Sequence, residues 1–109
     1  GRSIPAIHYM VAVAGGKDIR CAPYATFGTQ ALSDHAVAAL EGRKACLMAH
    51  HGLLCLERDL PRALALAVEL EGLAQIYYQC LLAGEPELLD DAEMDRVLEK
   101  FKTYGSSLQ

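Results

Sequence analysis

The pattern of apolar and polar positions predicts a helix over residues 30–41, with Thr29 as its N-cap. Gly42 follows at a position where glycine commonly ends a helix. The apolar residues of this segment recur at helical spacing, at Leu32, Ala36, Ala39 and Leu40. The segment is therefore predicted to place one face on a core.

Two short apolar runs, residues 44–49 and 52–57, are typical of buried strands. They either pair through the corner between them or continue one another. Residues 18–22 have weaker β character and lead into a loop over residues 23–28. The apolar run over residues 4–14 fits a helix and a strand equally well, because its periodicity does not separate the two.

A long helix is predicted from its N-cap, Asp59, to about Ala83, with Pro61 in the first turn, where proline is tolerated. Its apolar residues lie on most sides, so we expect burial on two faces, against a sheet and against another subunit. Asp90, with Glu93 three residues later, indicates the start of a last helix over residues 91–103. Residues 105–109 are expected to fray.

Composition places the chain among globular proteins. It has 109 residues, 52% of them hydrophobic, enough for one small domain. The formal net charge of −4 gives no electrostatic footprint for nucleic acid. No apolar run approaches the roughly 20 residues of a membrane helix, and no signal peptide is expected. Four cysteines without a C-x-x-C pair indicate reduced thiols of a cytoplasmic protein.

The candidate chemistry lies at His50-His51-Gly52, directly after an apolar run. Histidine is the commonest metal ligand, and a strand end can direct an imidazole into a cleft. A catalytic zinc needs about three protein ligands and an open position. Either these histidines do not bind a metal, or the other ligands lie outside the 109 residues.

Four sequence blocks carry a family resemblance: residues 4–10 (IPAIHYM), 21–29 (CAPYATFGT), 50–52 (HHG) and 98–105 (LEKFKTYG). From about Ser3 to Gly105 the chain resembles the class II aldolase/adducin family, most closely the branch that cleaves L-fuculose 1-phosphate. The resemblance implies an α/β fold of three layers, α/β/α, around a central, mainly antiparallel sheet. Family members are about twice this length, so residues 1–109 are expected to be the C-terminal half of a single domain.

The same resemblance implies site residues. His51 would be one of three histidine ligands of a single Zn²⁺ per subunit, the other two lying upstream. Tyr9 would reach a neighbouring subunit's site as a proton donor, and Tyr104 would lie in a C-terminal segment that closes over the site. Phe27 and Phe101 match aromatics near the mouth of the site. Without the resemblance, a hydrogen-bonded structural histidine is the favoured interpretation of His51, and ordinary aromatic packing is the favoured interpretation of the other four residues.

The function implied is zinc-dependent cleavage of a ketose 1-phosphate to dihydroxyacetone phosphate and an aldehyde such as L-lactaldehyde. Tyr9 would protonate the aldehyde oxygen, and the partners would be a phosphorylated sugar and the other subunits of a homotetramer with sites at its interfaces. The alternatives are a sugar-phosphate 4-epimerase or dehydratase of the same superfamily, and a non-catalytic assembly protein. The isolated chain is expected to be inactive, because a single histidine gives too little metal affinity.

Overall fold

The computed structural model describes the backbone of residues 1–107 and the side chains of residues 1–103. The elements in chain order are a 3₁₀ helix Tyr9–Ala14, β1 Cys21–Ala22, α1 Gln30–Ala39, β2 Ala45–Met48, β3 Gly52–Cys55, α2 Leu60–Ala83 and α3 Asp91–Ser107. The three predicted α-helices and the strands are confirmed, with shifted ends. The described chain thus alternates strands and helices, as an α/β fold does.

The sheet has the strand order β1-β2-β3. β2 and β3 are antiparallel, with Ala45 opposite Cys55 and Met48 opposite Gly52, so the two apolar runs pair rather than continue one another. β1 runs parallel to β2, and α1 makes the crossover that a parallel pair requires. Among the described strands the sheet is therefore mixed, with one parallel and one antiparallel pair.

Helices cover both faces of this sheet. Cys46 and its cross-strand partner Leu54 pack with Ala39 of α1 on one face. The alternate residues, including Ala45 and Leu53, pack on the other face in a cluster with α2, α3 and the 3₁₀ helix. This period-two alternation gives the three layers of an α/β/α fold, as predicted.

The long helix α2 begins where the sequence predicts. Asp59 accepts a hydrogen bond from the backbone N–H of Arg62 at 2.9 Å, and this bond holds the pKa of Asp59 below its usual value. One stripe of α2 is buried, at Leu66, Leu70, Leu73 and Tyr77. The opposite side is exposed in this chain, at Leu60, Leu64, Val68, Ile76, Tyr78 and Leu82. Burial against the sheet is confirmed, and burial of the second face by another subunit stays a prediction.

The ambiguous N-terminal run is part bridge and part helix. Ile4 pairs with Ile19 through backbone bonds of 2.8 and 2.9 Å, and the chain then turns into the 3₁₀ helix, with His8 as its N-cap. Gly15, with a φ of +98°, ends that helix in the left-handed conformation that glycine adopts readily.

Two helix ends differ from the predictions. α1 stops two residues early, with Leu40 as its C-cap, and Gly42 takes a φ of +66° in the turn that follows. α3 continues to Ser107, four residues beyond the predicted end at Thr103, while residues 108–109 lie outside the described residues and the expected fraying of the tail stays a prediction. A single glycine inside a helix costs only about 1 kcal/mol, and Gly105 does not stop α3.

No helix in the described part of the chain is both long and apolar enough to cross a membrane.

Candidate functional site

The turn between β2 and β3 presents the two histidines. It consists of residues 49–51, because Met48 pairs with Gly52, and the backbone N–H of His51 donates to the carbonyl oxygen of Met48 at 3.0 Å. His50 has a φ of +62°, the left-handed conformation that residues other than glycine seldom adopt. The turn is therefore tight, and both histidines are exposed on it.

The imidazole of His51 has a defined hydrogen-bond partner. Its Nε2 atom lies 3.1 Å from the carbonyl oxygen of Ala25. A carbonyl oxygen only accepts, so Nε2 carries the proton, and Nδ1 of the neutral ring has a free lone pair. A histidine that binds a metal through one nitrogen commonly donates its other N–H to such an oxygen. The donor chemistry of His51 fits one ligand of a metal ion.

Tyr24 contacts both histidines. Its ring stacks on that of His51, with centroids 5.6 Å apart and planes inclined by 17°. The same ring meets His50 edge-on, at 5.6 Å and 87°. These geometries are the two that aromatic pairs prefer, so the contacts restrict the orientation of the imidazoles.

A complete metal site is not contained in the described residues. Among them, no three histidine, cysteine or acidic side chains lie close enough together to bind a metal ion. Burial raises the pKa of the Cys46 and Cys55 thiols, which disfavours the thiolate form that binds metals. Any further ligands of a metal at His51 must come from outside the described residues.

Tyr9 and Phe101 line one groove. Tyr9 is 51% exposed, and its ring stacks on that of His8, with centroids 4.6 Å apart and planes inclined by 27°. Phe101 of α3 is half-buried against the core, across a groove of about 1080 Å³ that Lys44 also borders. Among the described residues, His51 does not line this groove. The fold thus brings Tyr9 and Phe101 to the same groove.

Phe27 belongs to the same loop as Tyr24 and Ala25. It is 80% exposed in the loop between β1 and α1, two residues beyond Ala25. Tyr104 lies within the backbone of α3, but its side chain is outside the described ones. The roles predicted for Tyr9, Tyr104, Phe27, Phe101 and His51 stay predictions.

Sequence reasoning missed the surroundings of His51. Tyr24 and Ala25 contact its imidazole, and His35 of α1 lies with Nδ1 3.2 Å from the carbonyl oxygen of Pro23, at the start of their loop. The one available signal was that residues 23–25 belong to the CAPYATFGT block. Their contact with His51 depends on strand pairing, which the block alone does not reveal.

Comparison with known proteins identifies similar chains. The family described as "Class II Aldolase and Adducin N-terminal domain" matches residues 1–78. A 5-methylthioribulose-1-phosphate/5-deoxyribulose-1-phosphate aldolase of Rhodospirillum rubrum is 63% identical over 109 residues, which are 100% of this chain and 49% of that protein. An L-fuculose phosphate aldolase of Escherichia coli K12 is 57% identical over 99% of this chain and 51% of its own length.

A solved structure has the same fold. A chain described as L-fuculose 1-phosphate aldolase superposes with a TM-score of 0.86 at 48% sequence identity. The superposition covers 92% of this chain and 47% of that one. The chain thus spans about half the length of the curated relatives and of the solved structure it matches.

Proposed function

The chain belongs to the class II aldolase and adducin family, and on that premise we propose that it forms the C-terminal half of a metal-dependent aldolase acting on a ketose 1-phosphate. The observation that carries the proposal is the 57–63% identity, over essentially the whole chain, to relatives named as aldolases of phosphorylated ketoses. The names do not favour a sugar-phosphate 4-epimerase or dehydratase, and none describes a non-catalytic protein.

His51 is proposed as one ligand of a divalent metal, with Zn²⁺ the expected ion. Its Nδ1 lone pair supports this role, because the Ala25 carbonyl fixes the proton on Nε2. When bound, such an ion supplies Lewis-acid stabilisation of the negative charge that develops on the ketose oxygens. The remaining ligands would come from the part of the protein that these 109 residues do not include.

Tyr9 is proposed to move the proton at the C4 oxygen of the ketose. Cleavage breaks the C3–C4 bond, leaves the electron pair on the dihydroxyacetone phosphate fragment, and converts the C4 hydroxyl into an aldehyde with loss of its proton. Tyr9 accepts that proton in cleavage and returns it to the aldehyde oxygen in condensation, and C3 takes up a proton from a group outside these 109 residues before dihydroxyacetone phosphate leaves. Its exposed phenol supports this role, and its position in a groove that His51 does not line fits service to a neighbouring subunit.

The partners proposed are a phosphorylated sugar and further copies of the same protein in a homotetramer. The exposed apolar side of α2, from Leu60 to Leu82, supports burial by another subunit. Phe27, Phe101 and Tyr104 are proposed to border the bound substrate. Free thiols support a cytoplasmic location.

The names of the relatives suggest two candidate substrates for this protein. L-fuculose 1-phosphate would give dihydroxyacetone phosphate and L-lactaldehyde, and 5-deoxyribulose 1-phosphate would give dihydroxyacetone phosphate and acetaldehyde. Release of dihydroxyacetone phosphate, measured with each ketose and the full-length protein, tests the activity and ranks the substrates. Cleavage of neither ketose by the metal-loaded protein would contradict the proposal.

The metal assignment is tested with His51→Ala in the full-length protein. We expect loss of both bound metal, measured by elemental analysis, and ketose cleavage. His50→Asn is the matched control, because asparagine tolerates the left-handed backbone and the variant removes the adjacent imidazole; it should keep its metal. Retained zinc and normal turnover in His51→Ala would refute the assignment. The isolated 109-residue chain should bind metal weakly and show no turnover.

A further inference from the structure

The edge of the sheet that bears His51 also bears the start of the β1–α1 loop. β1 and β2 are parallel, with Ala22 opposite Met48, so both strands end at the same edge. The backbone N–H of Ala49 donates to the carbonyl oxygen of Ala22 at 3.1 Å and extends this pairing by one residue. Residues 23–25 therefore leave the sheet directly beside the turn over residues 49–51.

Hydrogen bonds hold the loop of residues 23–28 at both ends. His35 of α1 lies 3.2 Å from the carbonyl oxygen of Pro23 through Nδ1. At the other end, the hydroxyl of Thr29 donates to the carbonyl oxygen of Thr26 at 2.6 Å and accepts from the backbone N–H of Leu32. The loop is thus tied to the first turn and the middle of α1, which gives Tyr24 and Ala25 defined positions.

Two adjacent residues of this loop restrain one imidazole in complementary ways. The Ala25 carbonyl fixes the ring nitrogen that carries the proton, which selects the tautomer of His51. The Tyr24 ring lies nearly parallel to the imidazole, inclined by 17°, and so restricts rotation of the ring out of that plane. The hydrogen bond at Nε2 alone leaves the imidazole free to rotate about that bond, and the stacking on Tyr24 restricts this rotation.

His50 adds a second contact on the same tyrosine. Its backbone takes the left-handed conformation at φ +62°, and its imidazole meets the Tyr24 ring edge-on. An unfavourable backbone conformation of this kind is maintained only where the surrounding structure imposes it. The ring of Tyr24 thus contacts the imidazoles of both histidines of the turn.

We propose that Tyr24 is a positioning residue for His51, whose aromatic ring holds the imidazole with Nδ1 directed toward the metal. The inference rests on the proposed function, in which His51 is a metal ligand. The ring, and not the phenolic hydroxyl, performs this task, because the contacts with both histidines are contacts between rings. The side chain is 56% exposed, so its effect acts through this local contact rather than through packing of the core.

The test is the affinity of the metal-free, full-length protein for Co²⁺, measured by competition with a chelator and followed by visible absorption. Residues that orient a metal ligand typically change metal affinity by about 10–100-fold when removed. We expect Tyr24→Ala to weaken Co²⁺ binding about tenfold and to alter the absorption spectrum. Tyr24→Phe, which retains the ring, should bind within about twofold of the parent protein.

Three further variants separate the explanations. Tyr24→Leu keeps an apolar side chain without an aromatic ring; it should weaken binding like Tyr24→Ala and serves if the alanine variant does not fold. Leu88→Ala, which removes an exposed apolar side chain between α2 and α3, should leave Co²⁺ affinity unchanged. His51→Ala gives the reference for complete loss of the ligand.

The outcomes distinguish failure of the positioning role of Tyr24 from failure of the metal-ligand role of His51. If His51→Ala loses Co²⁺ while Tyr24→Ala and Tyr24→Leu bind it normally, the positioning role is wrong and the metal assignment stands. If Tyr24→Phe is as weak as Tyr24→Ala, the hydroxyl acts and the stacking account is wrong. If His51→Ala keeps its affinity, the metal assignment and the inference that rests on it both fail.

Discussion

Lys44 and Glu57 close the open end of the β2–β3 hairpin. The Nζ atom of Lys44 lies 3.1 Å from Oε1 of Glu57, and the backbone N–H of Leu56 donates to the Lys44 carbonyl at 2.7 Å. Burial alone would raise the pKa of Glu57. The hydrogen bond and charge of Lys44, with the backbone N–H of Arg58, outweigh burial and lower the pKa.

The lowered pKa predicts a pH-dependent contribution to stability. A carboxylate whose pKa is lower in the folded state stabilises the fold above its unfolded pKa of about 4.3, and this stabilisation is lost as the pH falls through the folded value. Glu57→Gln should therefore reduce the free energy of unfolding by at most about 1 kcal/mol at pH 7, because Lys44 is largely exposed. Urea unfolding of the full-length protein at pH 7 and at a pH below the folded pKa measures the difference.

The difference in unfolding free energy between the parent protein and Glu57→Gln should vanish at the lower pH, where the protonated Glu57 is as neutral as the glutamine that replaces it. Glu87→Gln, in the exposed segment between α2 and α3, is the control and should change little at either pH. An equal loss for Glu57→Gln at both pH values would show that the ion pair is not its cause.

The left-handed conformation of His50 predicts which substitutions the turn accepts. His50→Val should lower the free energy of unfolding by about 1–2 kcal/mol, because a β-branched side chain clashes with the backbone at a φ of +62°. His50→Gly should fold at least as stably as His50→Asn. Thermal unfolding of the three variants ranks them, and a valine variant as stable as the glycine variant would contradict the observed backbone.

The thiol of Cys46 should resist alkylation in the native protein. The side chain is 0% exposed, and burial, followed by the nearby Cys21 and Cys55, raises the pKa of its thiol, so little thiolate forms at neutral pH. Timed reaction with iodoacetamide, read out by peptide mass spectrometry, should label partly exposed Cys80 first. Equal labelling rates for Cys46 and Cys80 would contradict the packing between the sheet and α1.

The proposed proton transfer predicts a large effect of Tyr9→Phe on turnover. Loss of a positioned general acid or base typically lowers the rate by about 10²–10⁴-fold, and we expect that loss in kcat with a small change in KM. The phenyl ring keeps the stacking on His8, so the fold should be unchanged. Normal kcat in Tyr9→Phe would remove Tyr9 from the mechanism.

Local signals predicted most of the fold. Thr29 and Asp59 cap α1 and α2 as the sequence indicates, because capping depends on side chains within three residues of the helix start. The two apolar runs predicted β2 and β3, but their pairing into a hairpin was left open until the structure showed it. The 3₁₀ helix Tyr9–Ala14 could not be predicted, because its apolar run is buried on several sides and has no single period.

The candidate site was predictable in part. His51 is distinguished by its position at a strand end, but its partners Tyr24 and Ala25 lie 26 residues or more away in sequence from the turn they contact. Their proximity arises from the parallel pairing of β1 with β2, a long-range relationship that no local pattern specifies. The family resemblance marked the block that contains them and left its contacts unspecified.

The parallel pairing of β1 with β2 also has a consequence for the order of folding. The β2–β3 hairpin joins residues adjacent in sequence and can close early, whereas the β1–β2 contact must wait until the α1 crossover closes a much longer loop. We therefore expect the histidine turn to exist before the loop that carries Tyr24 reaches it. In refolding, the hairpin amides should gain protection from hydrogen exchange ahead of Ala49, whose N–H bonds across to β1.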